Sequence, residues 1–158
     1  MKRIPLTQGK FALVDDEDYT FLIQWKWYFS GRYAVRSESL QHEDGTRFKP
    51  RRYMHRDINR TPLGVQTDHI DGNGLNNRRR NLRDATCAEN QRNCRRTKGS
   101  SKYKGVQLTN RGVYVSHIKV SGKSIYLGSF GIDEIKAAKA YNKAALKYHG
   151  KYASLNKL

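Results

Sequence analysis

The chain has 158 residues, a length that suits one ordinary domain or two small ones. Its 31 lysines and arginines outnumber its 14 aspartates and glutamates, and the resulting formal net charge of +17 indicates a polyanionic partner, for which nucleic acid is the leading candidate. No apolar run approaches the ~20 residues of a membrane span, and acidic residues stand where a signal peptide would continue apolar. We therefore exclude a membrane partner and expect a cytoplasmic protein.

Residues 10–36 predict a short helix followed by a hairpin. The acidic run 15–18 resembles a cluster of metal ligands, but acidic side chains before an apolar stretch more often begin a helix, where the helix dipole favours them. Trp25, Trp27 and Phe29 then alternate with less apolar side chains, as in a half-buried strand, and Tyr33 begins its partner. The rings have two interpretations, base stacking or a hydrophobic core, and in so small a domain we favour the core.

Residues 41–61 predict a second hairpin and a short helix. Asp44 and Gly45 form a turn-favouring dipeptide ahead of a strand that runs through Tyr53. His55 lies on the short helix that follows. A lone histidine has a catalytic and a structural interpretation, and we favour the structural one, in which the ring packs or forms hydrogen bonds.

Residues 66–93 carry the residues with the clearest chemistry. The stretch from Gln66 predicts a short strand that ends at an Asp-Gly turn, so its neighbours Asp68 and His69 face opposite sides. A polar turn leads to a second strand at Asn81, and a capping box then begins a helix that contains Asn90. A carboxylate and a carboxamide are oxygen ligands for Mg²⁺, and an imidazole is a base near neutral pH. The three side chains together suit phosphodiester hydrolysis.

The string DHIDGN, the later NLR and the helix string ENQRN resemble the HNH endonucleases of phages and mobile introns, which have a ββα-metal fold. The resemblance implies that His69 deprotonates the attacking water and that Asp68 and Asn90 bind Mg²⁺, with Mn²⁺ as the alternative. It also implies that Asn81 braces the hairpin and keeps His69 oriented, which gives the catalytic pair His69 and Asn81. The family often has histidine where this chain has Asn90, so the metal is held by fewer charged groups. Whether it is encoded by a phage or by a bacterium, the protein is expected in the bacterial cytoplasm.

Two basic segments flank the predicted helix. Three arginines stand in the turn before the second strand, and residues 92–104 contain six basic residues and no acidic one, interrupted by Gly99. A charged run is often only a solvated face, but a basic linker between two DNA-contacting units can follow a phosphate backbone. The candidate DNA contacts in these segments are Arg78, Arg79, Arg80, Arg92, Arg95 and Arg96.

The last third of the chain predicts three strands and a helix. Strand-like segments begin near Val106, Tyr114 and Lys123, and a helix with an apolar stripe stops at Gly150. The buried stripe of that helix is predicted to contain Ile135, Ala138, Tyr141, Ala145 and Tyr148.

The strings YKGV, IYLGSF and AAKAYNKAA resemble the AP2 domain, a DNA-binding module of plant transcription factors and phage HNH proteins. In that family the sheet enters the major groove. The resemblance places DNA contacts at Lys104, Gln107, Arg111, Tyr114, His117, Lys119 and Tyr126. Gln107 stands at a usual arginine position, and Tyr114 and Tyr126 stand at usual tryptophan positions, so the family's base specificity does not carry over.

These elements predict an α+β protein of two domains. Residues 1–94 form an HNH (ββα-metal) nuclease domain, residues 95–101 a basic linker, and residues 102–158 an AP2-like three-stranded antiparallel sheet plus helix. The predicted function is a metal-dependent, homing-type endonuclease that cuts double-stranded DNA, nicking as a monomer rather than a dimer. Two alternatives remain open: a DNA-binding regulator or architectural protein with a degenerate nuclease domain, and an RNA-binding protein of the ribosomal type.

Overall fold

The computed structural model describes residues 1–93 and 99–158, which form two compact units, Met1–Cys87 and Ala88–Leu158. Short helices and small antiparallel sheets make up both units, which confirms the predicted α+β class. The predicted domain boundary at residue 94 lies in the segment outside the described residues. The division into units falls a few residues earlier, so most of the helix that contains Asn90 belongs to the second unit.

The first unit is built from hairpins. β1 pairs with β2, β4 lies between β3 and β7, β5 pairs with β6, and β8 pairs with β9, all antiparallel. Its helices are α1 (Asp16–Leu22) and α2 (Met54–Asn59), and α3 (Cys87–Asn93) begins at the last residue of this unit. The strands are β1 (Lys2–Pro5), β2 (Phe11–Val14), β3 (Tyr28–Ser30), β4 (Tyr33–Ser37), β5 (Leu40–Gln41), β6 (Arg47–Phe48), β7 (Arg51–Tyr53), β8 (Gln66–His69) and β9 (Leu82–Ala85).

The core of the first unit contains the tryptophan that the alternating pattern placed there. Trp27 is 5% exposed, and its Nε1–H donates to the carbonyl oxygen of Leu22 at 2.8 Å. Trp25 and Phe29 are partly buried against the same cluster, which includes Met54. The core interpretation of the aromatic rings is therefore confirmed. The strand begins only at Tyr28, because residues 23–27 form an irregular segment that begins with a turn at the end of α1.

The acidic run at the start of α1 begins a helix, as predicted, and it also holds a distant turn. Asp15 precedes the helix, and its Oδ2 accepts the backbone N–H of Arg79 at 2.9 Å. Asp18 is 6% exposed and forms an ion pair with the Arg79 guanidinium, with an Oδ1–Nη2 distance of 2.6 Å. The turn between β8 and β9 is thereby fixed to the N-terminal part of the chain.

The second unit is a sheet covered on one face by a helix. Its strands β10 (Val106–Leu108), β11 (Tyr114–Val120) and β12 (Lys123–Ser129) pair antiparallel in that order, and α4 spans Glu134–His149. Asp133 caps α4 by accepting the N–H of Lys136, and Gly150 follows its end with a φ of 53°.

The buried stripe of α4 was predicted correctly only in its middle. Ala138, Tyr141 and Ala145 are buried against the sheet. Ile135 and Tyr148 are 49% and 39% exposed, because they lie in the first and last turns, where fewer neighbours cover the helix. Small residues between them allow α4 to approach the sheet closely. No helix among the described residues is long and apolar enough to cross a membrane.

Candidate active site and nucleic-acid interface

The β8–β9 hairpin positions the two residues that the sequence marked most strongly. Asp68 pairs with Arg83 and His69 with Leu82 in the antiparallel register, so the two neighbours on β8 face opposite sides. α3 follows β9 after a single connecting residue. The predicted order of two strands and a helix is therefore present at residues 66–93.

Asp68 is buried in an ion pair across the hairpin. Its side chain is 5% exposed, and its Oδ2 accepts hydrogen bonds from Arg83 Nε at 2.9 Å and Nη2 at 2.6 Å. Burial of a carboxylate requires such a partner. A cation that binds Asp68 would share this carboxylate with the Arg83 guanidinium.

His69 is buried and is held by an amide. Its Nε2 lies 3.1 Å from the Oδ1 of Asn77, and Oδ1 can only accept, so Nε2 carries the hydrogen and Nδ1 the lone pair. Burial lowers the pKa of His69 below its ordinary 6.5, although the Asn77 hydrogen bond and the carboxylate of Asp71 raise it. His69 is therefore a neutral imidazole, able to accept a proton, at neutral pH.

Asn81 braces the turn between the strands. Its Nδ2 donates to Asp71 Oδ1 at 2.9 Å and to the carbonyl oxygen of Asn76 at 2.7 Å, and its Oδ1 accepts the N–H of Asp71 at 3.0 Å. The side chain hydrogen-bonded to the His69 ring is Asn77 instead. The sequence interpretation missed Asn77, because four asparagines stand in residues 73–81 and no local pattern distinguishes the one that faces the ring.

His69 belongs to a cluster of four rings, which also contains Tyr33, Tyr53 and His55. The centroid of His55 lies 4.9 Å from that of His69 in an edge-to-face arrangement, and Tyr33 stacks 5.8 Å from His69. Tyr53 lies 5.5 Å from His55. His55 is 7% exposed, and its buried Nδ1 has no hydrogen-bond partner among the described residues. The packing role predicted for His55 is thus visible, with one nitrogen left unsatisfied beside the candidate base.

The buried His55 makes stability depend on pH. Burial, with His69 and Arg56 nearby, lowers the pKa of His55 from 6.5 to about 3. Below pH 6.5 the ring binds a proton in the unfolded chain but stays neutral in the folded chain. The free energy of unfolding therefore falls as the pH falls below 6.5, by up to ~1.4 kcal/mol per pH unit.

We expect His55→Phe to remove this dependence. The free energy of unfolding of the variant, minus that of the unmodified chain, should rise by about 2 kcal/mol when the pH is lowered from about 6.5 to 4.5. Urea denaturation at both pH values measures the difference, and comparison with the unmodified chain removes the contribution of carboxylates such as Asp71, whose pKa is also lowered. An unchanged difference between the two chains would contradict a neutral buried His55.

Asn90, the predicted second metal ligand, lies half-buried on α3. Most of α3 belongs to the second unit and Asp68 to the first, so the convergence of the two side chains stays a prediction. The donor chemistry fits Mg²⁺, since a carboxylate and a carboxamide both offer hard oxygens. No group of three or more His, Cys, Asp or Glu that suits a metal occurs within residues 1–93 and 99–158. Any metal site there would depend on amide or water ligands as well.

The three arginines of the turn between β8 and β9 differ in how many hydrogen bonds and ion pairs they form with other side chains. Arg79 donates to Asp18 and forms a second ion pair with Glu17, and Arg78 Nε donates to Asn76 Oδ1 at 2.8 Å. Arg80 is exposed. A phosphate would compete with two carboxylates for Arg79, so Arg80 is the better placed candidate of the three. Arg95 and Arg96 lie outside the described residues.

The sheet of the second unit has one face covered by α4 and one open face. Ile118 faces α4, so its neighbours on β11, His117 and Lys119, face the open side. His117 pairs with Tyr126 across β11 and β12, with ring centroids 5.2 Å apart. Tyr126 is 57% exposed, and Gln107 on β10 is also exposed. Arg111 is exposed in the β10–β11 turn. Five of the predicted DNA contacts thus lie on the open face or at its edge.

Two predicted DNA contacts are directed elsewhere. Tyr114 packs with Phe130 against the cluster that contains Ala137 and Ala138 of α4, on the covered face of the sheet. Lys104 donates its Nζ to the carbonyl oxygen of Arg92 at 2.5 Å, at the end of α3. Tyr114 therefore contributes to the core of this unit and does not lie on the open face of the sheet.

Comparisons with known proteins show similarity over two different extents of the chain. A protein described as an uncharacterized HNH endonuclease from Acanthamoeba polyphaga mimivirus is 29% identical over 153 residues, which cover 96% of this chain and 77% of the viral protein. This chain is a distant homologue of that protein. A 58-residue segment is 45% identical to the APETALA2-like protein 2 of Oryza sativa and to an AP2-like ethylene-responsive transcription factor of Arabidopsis thaliana. The segment covers 36% of this chain but only 12–13% of the plant proteins. No protein-family model matches the chain.

Proposed function

We propose that the chain is a metal-dependent DNA endonuclease of the HNH type. The observation that carries the proposal is the buried His69 beside Asp68 on a hairpin followed by α3. Homology to a viral HNH endonuclease over nearly the whole chain supports it. Asn77 contacts Nε2 of His69, so Nδ1 is the nitrogen that would accept the proton.

In this mechanism His69 Nδ1 takes a proton from the water that attacks the phosphorus. A positioned base of this kind contributes ~10²- to 10⁴-fold to the rate. Asp68 and Asn90 would hold Mg²⁺, and the bound ion would stabilise the charge that develops on the phosphate and on the leaving oxygen. Asn81 keeps the turn in place through Asp71 and Asn76. The expected products have 5′-phosphate and 3′-hydroxyl ends.

The second unit would place the nuclease on double-stranded DNA. Lys119 and Arg111 are exposed on the open face or at its edge, and the chain carries a net charge of +17. Phosphate contacts position a protein on the duplex, and contacts with base edges specify the sequence. Gln107, His117 and Tyr126 are the side chains of this face that suit base contact. One nuclease site in each chain cuts one strand, so a monomer is expected to nick.

Incubation with supercoiled DNA in Mg²⁺, Mn²⁺ or EDTA tests the proposal. We expect open circles to form with either cation and no conversion with EDTA, because one buried carboxylate paired with Arg83 gives a weak site that depends on added metal. Conversion that proceeds equally in EDTA would contradict a metal-dependent nuclease.

A DNA-binding regulator that does not cut is the second candidate. The Asp68–Arg83 ion pair favours it, since the guanidinium occupies the carboxylate that would bind the metal. Tight binding to duplex DNA, with no nicking in either cation on a large and varied DNA such as a phage genome, would support this candidate.

A further inference from the structure

Asn77 makes the closest described contact with the functional nitrogens of His69. Its side chain is fully buried, and its Oδ1 lies 3.1 Å from His69 Nε2. The amide nitrogen of Asn77 faces Met54 Sδ at 3.5 Å and the carbonyl oxygen of Leu75 at 3.4 Å, both of which can only accept. These two acceptors orient the amide so that its oxygen, and not its nitrogen, meets the imidazole.

The backbone of Asn77 is held by a strand far away in the sequence. Its N–H donates to the carbonyl oxygen of Leu13 at 2.8 Å, and the N–H of Leu13 donates to Leu75 at 2.8 Å. Two residues later, Asp15 and Asp18 fix Arg79 through its backbone N–H and guanidinium. The N-terminal hairpin and α1 therefore help to set the position of Asn77.

We infer that Asn77 is the positioning residue for His69: it fixes the ring as the Nε2–H tautomer and so directs the Nδ1 lone pair to the water. The opposite tautomer would set the Nε2 lone pair against the lone pairs of Asn77 Oδ1. A rotation of the amide would relieve this only by turning its oxygen toward two other acceptors, Met54 Sδ and the carbonyl oxygen of Leu75. The tautomer follows from the contacts alone, and its catalytic consequence rests on the proposed function. The described hydrogen bonds of the Asn81 side chain, by contrast, join it to Asp71 and Asn76 of the turn.

Nitrogen NMR of the full-length chain, labelled with ¹⁵N-histidine, reads the tautomer directly. The spectrum is recorded at a pH where imidazoles are neutral, and the His69 signals are identified by their loss in His69→Ala. We expect a single Nε2–H tautomer for His69 in the unmodified chain. A Nδ1–H ring or a mixture would overturn the inference without any Asn77 variant having to fold.

Three variants then separate positioning from folding. Asn77→Leu keeps the volume but removes the acceptor, so His69 should become a mixture of tautomers and the nicking rate should fall at least about tenfold, since a positioned base contributes more than this. Asn77→Asp keeps an acceptor and should restore the Nε2–H tautomer and most of the rate. Glu43→Ala, at an exposed residue of the β5–β6 hairpin, should change neither.

The outcomes also distinguish this inference from the proposed function. If the tautomer is lost in Asn77→Leu and restored in Asn77→Asp while no chain cuts DNA, the positioning contact stands and the nuclease assignment fails. If the chains cut DNA and Asn77→Leu keeps a pure Nε2–H ring, the nuclease assignment stands and the role of Asn77 is refuted.

Discussion

Replacing His69 with alanine is expected to lower the nicking rate by ~10²- to 10⁴-fold, the usual contribution of a general base. The affinity for duplex DNA should stay unchanged, because a neutral buried ring contributes no charge to phosphate binding. The rate is measured in a single turnover on supercoiled DNA, and the affinity on the same DNA in EDTA. The two measurements separate chemistry from binding.

The matched control is His42→Ala. His42 is exposed and stacks on Phe48 in the β5–β6 hairpin, with ring centroids 4.2 Å apart. Its removal should leave both the rate and the affinity unchanged. A loss of DNA affinity in His69→Ala as large as its loss of rate, or a rate equal to that of the control, would contradict the role of His69 as a base.

Replacing Gly105 with alanine is expected to give the largest loss of stability, about 3 to 5 kcal/mol. Gly105 precedes β10 with a φ of +75°, and an added Cβ would lie 2.6 Å from the carbonyl oxygen of His117 and still closer to the Tyr141 ring. Tyr141 is 3% exposed in the core between α4 and the sheet, so the ring has little space to move. The second unit of the variant should therefore unfold at a lower urea concentration than that of the unmodified chain.

Gly99→Ala is the control for this prediction, since its Cβ would meet no atom of the described residues within 4 Å. Far-UV circular dichroism follows unfolding of the whole chain, while fluorescence of Trp25 and Trp27 follows the first unit alone, because the chain has no other tryptophan. We expect an early transition in the first signal and not in the second. Equal urea midpoints for the two variants would show that the sheet tolerates a side chain at residue 105.

Local patterns predicted the elements of the site because the forces that form them are local. The Asp-Gly turn after β8 and the capping box before α3 involve neighbours in sequence, and both strands and α3 lie where these signals placed them. The acidic run before α1 was likewise predicted to begin a helix, and it does.

Contacts between distant residues decided what the patterns missed. Asn77 faces His69 because Leu13 holds the turn, and Arg79 is drawn to Asp18, 61 residues away, although it stands in an arginine run that indicated DNA contact. Tyr114 lies on the covered face of its sheet, and the resemblance to AP2 domains did not show which face that would be. The sequence next to these residues does not indicate which distant residues they contact.

The ends of the cut strand test the account most directly. A duplex labelled on each strand, cut in Mg²⁺ by the unmodified chain and by His69→Ala, shows both the chemistry of the products and the residue on which it depends. We predict 5′-phosphate and 3′-hydroxyl ends, formed with Mg²⁺ and absent with EDTA, and at least about a hundredfold less product from His69→Ala. Products with 3′-phosphate ends, or equal product from the two chains, would contradict hydrolysis by an HNH site centred on His69.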